Sequence, residues 1–152
     1  MGSIVLLCTD GSDAAIAALS ESLPLLAPAD RTIVVTVESP SAPEIISGKG
    51  FSAGPGSSET SEPITTSGDT VAMQVLEQTR VALGLDDAEI MAIVGRQPGP
   101  AICDLAASLP ASAVVIGTHG RGGVARAVMG STSDHIIRHA RCPVVVQGVS
   151  ER

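Results

Sequence analysis

Short runs of β-branched and aliphatic residues alternate along the chain with longer segments whose apolar residues recur at helical spacing. The short runs predict buried strands, and the periodic segments predict amphipathic helices. The five predicted strands are segments 4–9, 31–37, 88–94, 113–116 and 143–147. Four helices are also predicted. The first begins at Ser12, and the others cover segments 68–83, 98–109 and 131–140. This alternation predicts an α/β fold in which helices cover both faces of a five-stranded parallel sheet.

The second predicted helix has the clearest pattern. Val71, Val75, Thr79 and Leu83 follow one another at i, i+4 spacing, which predicts that they form its buried face. Gly84 follows directly and is predicted to end the helix, because glycine readily adopts the left-handed conformation of a helix C-terminus.

The periodic pattern fails between Glu38 and Ser67, where serine, proline, glycine and threonine dominate. Such a segment predicts a flexible loop over residues 39–67, inside a single domain that spans residues 1–152. The segment is either a disordered surface loop or a lid over a ligand, and the sequence leaves both interpretations open.

Charge is distributed unevenly along the chain, whose formal net charge is −7. Residues 1–116 hold fourteen acidic and four basic residues, whereas residues 117–152 hold two acids and five arginines. The acidic balance and the single aromatic residue, Phe51, exclude a nucleic-acid-binding or membrane-binding surface of the usual basic kind. The local positive charge near the end favours an anionic ligand there, and Arg121 and Arg126 are the candidates to contact it.

The chain has no apolar run of the roughly 18 residues that a membrane-spanning helix needs, and its first residues lack the pattern of a secretory signal. A cytoplasmic location is therefore expected.

Cys8, Cys103 and Cys142 form no C-x-x-C pair and are interpreted as small apolar residues rather than a disulfide framework. His135 and His139 lie four residues apart on a predicted helix but lack further metal ligands, which favours solvated side chains.

The segment from Gly117 to Ser131 carries the main chemical signal. Glycines at 117, 120, 122 and 123 follow a buried strand, and nine residues separate Gly120 from Gly130 and Ser131, which open a helix. Glycines are expected to permit positive φ and close approach of backbone N–H groups to an anion. A helix start adds N–H donors and a partial positive charge, so the segment predicts a phosphate site.

The pattern Gly117-x-x-Gly120-x9-Gly130-Ser131, followed by Arg141-Cys142-Pro143-Val144-Val145-Val146, resembles the nucleotide-binding branch of the universal stress protein family. The start agrees, since Ile4-Val5-Leu6-Leu7-Cys8-Thr9-Asp10-Gly11-Ser12 resembles the first strand and acidic turn of that family. The resemblance covers nearly the whole chain except about residues 39–67.

The resemblance implies a doubly wound, Rossmann-like sheet of the adenine nucleotide alpha hydrolase type, with strand order 3-2-1-4-5. It implies ATP or another adenine nucleotide as ligand, with Mg²⁺ or Mn²⁺ on the phosphates, and a homodimer joined through strand 143–147. Thr9 and Asp10 would line the nucleoside side, and the Val37 backbone would meet adenine. The residues expected near the phosphates are Gly117, His119, Gly120, Arg121, Gly123, Gly130, Ser131, Thr132 and Ser133.

Three functions remain open at this level. The favoured one is a nucleotide-binding regulatory protein of the stress response with slow or no hydrolysis, because no residue stands out as positioning a water. A weak ATPase or phosphotransferase that uses Asp10, His119 or Arg121 is the second. The third is a structural dimer module that binds no nucleotide.

Asp10 has a competing role as a cap of the first helix, and Ser131 with Asp134 resembles a capping box.

Other nucleotide sites fit less well. The only lysine, Lys49, is followed by Gly50 and lies in the polar segment, which excludes a Walker A loop. Gly120-Arg121-Gly122-Gly123-Val124-Ala125 fits a relaxed dinucleotide pattern, but no acidic residue follows it by about twenty positions. A flavodoxin-like site would need aromatic side chains, and the chain has no tryptophan or tyrosine.

Overall fold

The computed structural model describes residues 2–40, 71–118 and 129–148. Its described strands form one parallel sheet in the order β3-β2-β1-β4-β5. The strands are β1 (Ile4–Cys8), β2 (Arg31–Glu38), β3 (Glu89–Val94), β4 (Ala113–Gly117) and β5 (Val144–Gln147). The predicted α/β class and the strand order implied by the resemblance are therefore confirmed. Of the predicted loop 39–67, residues 41–67 lie outside the described residues.

Four described helices connect these strands. They are α1 (Asp13–Ser22), α2 (Val71–Ala82), α3 (Pro98–Ser108) and α4 (Ser131–His139), and a 3₁₀ turn over Leu23–Leu25 follows α1. Pro24 lies inside that 3₁₀ turn, directly after the end of α1. Within the ranges that the structure describes, no helix has both the length and the apolar character needed to cross a bilayer.

The sheet has a separate apolar core on each face, which explains why its central strands are apolar throughout. On one face, Leu6 and Val114 pack with Ile102 of α3 and Ile136 of α4. The second core is built from alternate strand residues and from α1 and α2. Its buried members are Val5, Leu7, Leu19, Val34, Leu76 and Val115.

The buried face of α2 agrees only in part with the predicted one, of which Thr79 is buried and Leu83 packs against the core. Ala72, Leu76 and Thr79 are buried, whereas Val71 is 72% exposed. A strict i, i+4 row turns about the helix axis by some 40° at each step, so a buried stripe must mix three- and four-residue steps. The predicted stop at Gly84 is confirmed, because this glycine has φ +66° and follows the last turn.

The turn between β1 and α1 depends on Gly11. Its φ is +80°, and a Cβ added there would lie 2.5 Å from Cγ1 of Val75 on α2. Gly11 is therefore needed both for the backbone conformation and for the contact between this turn and α2. The turn holds Thr9 and Asp10 at the carboxyl end of the central strand.

Candidate functional site

A cavity of about 340 Å³ opens at the carboxyl ends of β2, β1 and β4. The strand order reverses there, since the chain moves from β1 to β2 on one side and β4 lies on the other side. This is the position at which doubly wound sheets bind ligands. The lining residues are Cys8, Thr9, Asp10, Ala15, Val35, Thr36, Val37, Pro98, Ile102, Ile116, Gly117, Thr118, Gly130, Ser131, Thr132 and Ser133.

The cavity brings together the predicted site residues that the structure describes. They are Thr9, Asp10, Val37, Gly117, Gly130, Ser131, Thr132 and Ser133. The other predicted site residues, His119, Gly120, Arg121 and Gly123, lie outside the described residues. Their roles stay predictions, as do the ligand contacts of the described ones.

Asp10 braces the start of α1 through Ser12. Asp10 Oδ1 accepts hydrogen bonds from the Ser12 N–H at 2.9 Å and from the Ser12 hydroxyl at 2.6 Å. Ser12 Oγ in turn accepts from the Ala15 N–H at 3.2 Å, so Ser12 is the N-cap and Asp10 supports it. The Asp10 carboxylate is thereby held at one fixed position on the cavity wall.

Thr9 is buried beside Asp10, and its hydroxyl oxygen accepts a hydrogen bond from the Gly11 N–H at 3.0 Å. This bond interrupts the ladder between β1 and β2. The Thr9 N–H donates to the Val35 carbonyl, and in a parallel ladder the Gly11 N–H would next reach the Val37 carbonyl. It bonds to the Thr9 side chain instead.

The Val37 backbone is left open toward the cavity as a result. Neighbouring Glu38 accepts from Gly95 on the β3 side, and because bonding sides alternate along a strand, Val37 directs its N–H and C=O toward β1. β1 has ended at Cys8, and among the described residues these two groups have no hydrogen-bond partner. One donor and one acceptor therefore lie side by side at the cavity edge.

The start of α4 supplies the opposite end of the cavity. Gly130 is the N-cap, and the first backbone bond of the helix runs from the Asp134 N–H to the Gly130 carbonyl. The N–H groups of Ser131, Thr132 and Ser133 precede that bond and have no acceptor within the described part of the chain. They form a set of donors at the positive end of the helix dipole.

The geometry of this helix start corrects one sequence prediction and limits the role of Ser133. The prediction of a capping box formed by Ser131 and Asp134 is wrong. The N-cap is Gly130, and Asp134 pairs with Arg138 at 3.1 Å. The Ser133 hydroxyl donates to the Gly130 carbonyl at 3.0 Å and is buried. Only its backbone N–H is therefore suited to donate to an anion.

Gly117 and Gly130 are required for close packing rather than for positive φ. Neither has positive φ. A Cβ on Gly117 would lie 3.0 Å from the Ala18 Cβ of α1, and a Cβ on Gly130 would lie 3.0 Å from the Thr118 carbonyl oxygen. The Gly130 N–H donates to that same oxygen at 3.0 Å, which holds the start of α4 against the end of β4.

The apolar wall of the cavity was missed by sequence reasoning. Val35, Ile102, Ile116 and Pro98 line it, so a flat ligand group would pack between aliphatic side chains. The signal for Val35 was available, since strand residues two apart share a face and Val37 was already assigned. The α3 residues could not be found that way, because their approach depends on how α3 packs against the sheet.

His135 and His139 on α4 lie against each other. Their rings stack with centroids 4.1 Å apart, and His139 Nδ1 bonds to the His135 carbonyl at 2.9 Å. Among the residues with described positions, no group of three histidine, cysteine or acidic side chains could hold a metal ion. His135 also packs closely on Gly99, where an added Cβ would lie 2.8 Å from its Cβ.

The Cys8 thiol lines the cavity but has low reactivity because it stays protonated. Burial, with smaller contributions from Cys103 and Cys142, raises its pKa to about 12. Burial also raises the pKa of the partly buried Cys103 and Cys142 thiols. Since the thiolate is the reactive form, Cys8 is suited to packing and not to nucleophilic chemistry.

We expect iodoacetamide to alkylate Cys8 at least about tenfold more slowly than Cys103 and Cys142 in the native protein at pH 8, because access and thiolate fraction are both low. Mass spectrometry of peptides after timed quenching measures the three rates. Alkylation in urea is the control and should make the three rates similar. Equal native rates would contradict the buried state of Cys8.

The same thiol gives a direction for pH dependence. Its folded pKa lies above the unfolded value, so the stability it contributes is fully present below about pH 9 and is lost as pH rises toward 12.

Comparison with known proteins agrees with this architecture. Residues 1–147 match the model of the family described as the universal stress protein family. The chain is 45% identical over 49 residues to universal stress protein E of Escherichia coli K12, a match that covers 32% of this chain and 16% of that protein. The aligned part is thus only about a sixth of that relative's length.

Solved structures show the same fold at low identity. A universal stress protein in complex with cAMP has a TM-score of 0.62 and 19% identity, covering 96% of each chain. The universal stress protein UspA from Lactobacillus plantarum has a TM-score of 0.57 and 19% identity, covering 95% of this chain and 97% of that one.

Proposed function

This chain belongs to the universal stress protein family, and on that premise we propose that it binds an adenine nucleotide, ATP in particular, as a regulatory module of the stress response. The observation that carries the proposal is the division of the cavity into two ends. Val37 offers a backbone donor and acceptor at one end, and the start of α4 offers a set of N–H donors at the other. The Asp10 carboxylate lies between them.

The β2 end suits adenine. Adenine presents an exocyclic amino donor and adjacent ring-nitrogen acceptors, which complement a backbone C=O and N–H side by side. Val35, Ile102 and Pro98 supply apolar surface for its faces in the absence of aromatic side chains. The nucleotide-bound relative noted above binds cAMP, which contains the same base, and this supports an adenine ligand for the present chain.

The α4 end suits phosphate. Backbone N–H groups at a helix start and the helix dipole favour an anion, and the exposed Ser131 and half-buried Thr132 add hydroxyl donors. Asp10, in the turn that follows β1, is suited to accept from ribose hydroxyls. His119, Gly120, Arg121 and Gly123 are proposed to complete the phosphate contacts.

A divalent cation fits this site only as a partner of the nucleotide. No cluster of three acidic, histidine or cysteine ligands occurs among the described residues, so Mg²⁺ or Mn²⁺ would be held mainly by phosphate oxygens, and Asp10 is the acidic residue among the described lining. Such an ion would neutralise phosphate charge. We propose slow or no hydrolysis, because Asp10 Oδ1 is committed to Ser12 and is poorly placed to activate water.

Titration calorimetry tests the proposal. The wild-type chain is titrated with ATP and Mg²⁺, with GTP as the control that reverses the donor and acceptor pattern of the base. Heat with ATP and much weaker heat with GTP is the expected result, and no ATP binding would overturn the proposal. ADP formation above the buffer rate that is lost in Asp10→Asn would show a weak ATPase instead.

We propose further that the chain forms a homodimer through the segment 143–147, whose strand β5 is an edge of the sheet. The Val114 N–H donates to the Pro143 carbonyl and the Thr118 N–H to the Gln147 carbonyl, so the odd-numbered residues of β5 face β4. By alternation, Val144 and Val146 direct their backbone groups outward. An open edge of this kind favours pairing with a second copy.

Val146→Pro should convert the dimer to a monomer, because proline removes an outward N–H but no bond to β4, and edge strands tolerate proline. Sedimentation velocity at micromolar concentration measures the change. Circular dichroism of the variant should stay native and serves as the control for folding. A wild-type chain that sediments as a monomer, or a variant that remains dimeric, would contradict dimerisation through β5.

A further inference from the structure

One buried hydroxyl in the described part of the chain is left without a hydrogen bond. Five polar side chains are buried there, and four have hydrogen-bond partners in their own or the adjoining turn. Those four are Thr9, Ser22, Thr79 and Ser133. The fifth, Thr36 in β2, is 8% exposed, and its hydroxyl has no partner among the described residues.

Leaving a hydroxyl buried and unpaired costs free energy, and such groups in native proteins call for an explanation. Thr36 lines the cavity, so the explanation need not be a packing defect. A bound ligand would give the hydroxyl its missing partner. The hydroxyl would then exchange the solvent of the cavity for a fixed acceptor on the ligand.

The sheet geometry shows which end of a ligand Thr36 would meet. Neighbouring strands lie about 4.8 Å apart, so β4 and β2 are separated by about 10 Å across β1. The donors of α4 adjoin β4, through the bond between Gly130 and Thr118, whereas Thr36 and Val37 are at the β2 end. Thr36 is therefore remote from the phosphate donors and adjacent to the backbone pair of Val37.

Strand alternation separates the approaches of these two residues. Val37 packs with Ile33 and Val35 on the face covered by α3 and α4. Thr36 follows Val34, which packs on the face covered by α1 and α2. One ligand group at the end of β2 can thus be reached by the Val37 backbone and by the Thr36 side chain from different directions.

We propose that the Thr36 hydroxyl donates a hydrogen bond to a ring nitrogen of the nucleotide base and contributes to selection of that base. This inference rests on the proposed nucleotide-binding function. It adds a side-chain contact to the backbone contact at Val37, in a position where a valine of the same shape would fill the space but could not bond.

Two variants and one ligand test the inference. Thr36→Val keeps the shape and removes the hydroxyl, and we expect it to weaken ATP binding by about fivefold to tenfold. The same change should leave the melting temperature of the free protein within about 2 °C of the wild type, because the hydroxyl makes no bond to the protein that the change would remove. Thr36→Ser keeps the hydroxyl and should retain wild-type affinity within about twofold.

Each outcome is distinct. If the wild-type chain binds ATP and Thr36→Val binds it equally well, the role of Thr36 is overturned while the proposed function stands. If Thr36→Ser loses affinity while Thr36→Val keeps it, the methyl group carries the effect and the hydroxyl contact is overturned. If the wild-type chain does not bind ATP, the proposed function is overturned, and the inference about Thr36 is overturned with it.

Discussion

Replacing Gly130 by aspartate should weaken ATP binding by at least about 100-fold. The new carboxylate would lie at the start of α4, beside the N–H donors proposed to hold the phosphates. Two like charges about 4 Å apart repel by about 4 kcal/mol at an effective dielectric constant near 20, which exceeds the roughly 2.7 kcal/mol that a 100-fold loss represents. Calorimetric titration of the variant with ATP and Mg²⁺ measures the loss.

Gly130→Asn is the matched control, because asparagine has nearly the same shape and no charge. Both variants place a Cβ 3.0 Å from the Thr118 carbonyl oxygen, so both share whatever adjustment that contact requires. The affinity difference between them isolates the charge. Equal affinities would mean that the phosphates do not lie at the start of α4.

Gly11→Ala should lower the free energy of unfolding by about 3 kcal/mol. A left-handed backbone costs a non-glycine residue about 1–2 kcal/mol, and forced overlap in a packed region adds a similar amount. The overlap is specific, since the alanine Cβ would lie 2.5 Å from Cγ1 of Val75. Urea denaturation followed by circular dichroism measures the change.

Gly84→Ala separates the two causes. Gly84 has φ +66°, but an added Cβ would meet nothing within 4 Å, so only the backbone cost of about 1 kcal/mol applies. The double change Gly11→Ala with Val75→Ala should recover part of the loss by relieving the overlap. Equal losses for Gly11→Ala and Gly84→Ala would show that the contact with α2 is not tight.

The apolar pattern was sufficient to predict the strands, the helices and the fold class. Central parallel strands are apolar on both faces, so runs such as Val34–Val35 and Val114–Val115 were unambiguous. The strand order did not follow from the pattern and was supplied by the resemblance. The buried face of α2 could not be read from a single i, i+4 row, because helical rotation makes that row drift away from the core.

The site was predictable where it depended on position in the chain and not where it depended on packing. Asp10, Gly117 and Gly130 follow strands or precede a helix, and a parallel sheet gathers such positions at one edge. The positive φ predicted for Gly117 is not found, and the contacts of Gly117 with Ala18 and of Gly130 with Thr118 exist only in the folded chain. The unpaired hydroxyl of Thr36 is equally invisible in a sequence.

In the part of the chain that the structure describes, the walls of the cavity come from three strands and three helices that lie far apart in sequence. Partial unfolding of any one of these elements would dismantle the binding surface, so a ligand would stabilise all of them together by mass action. A ligand at 100 times its dissociation constant adds about 2.7 kcal/mol to the free energy of unfolding. The concentration of the nucleotide would then determine how long the whole molecule resists proteolysis. The lifetime of the protein would therefore depend on the supply of its ligand.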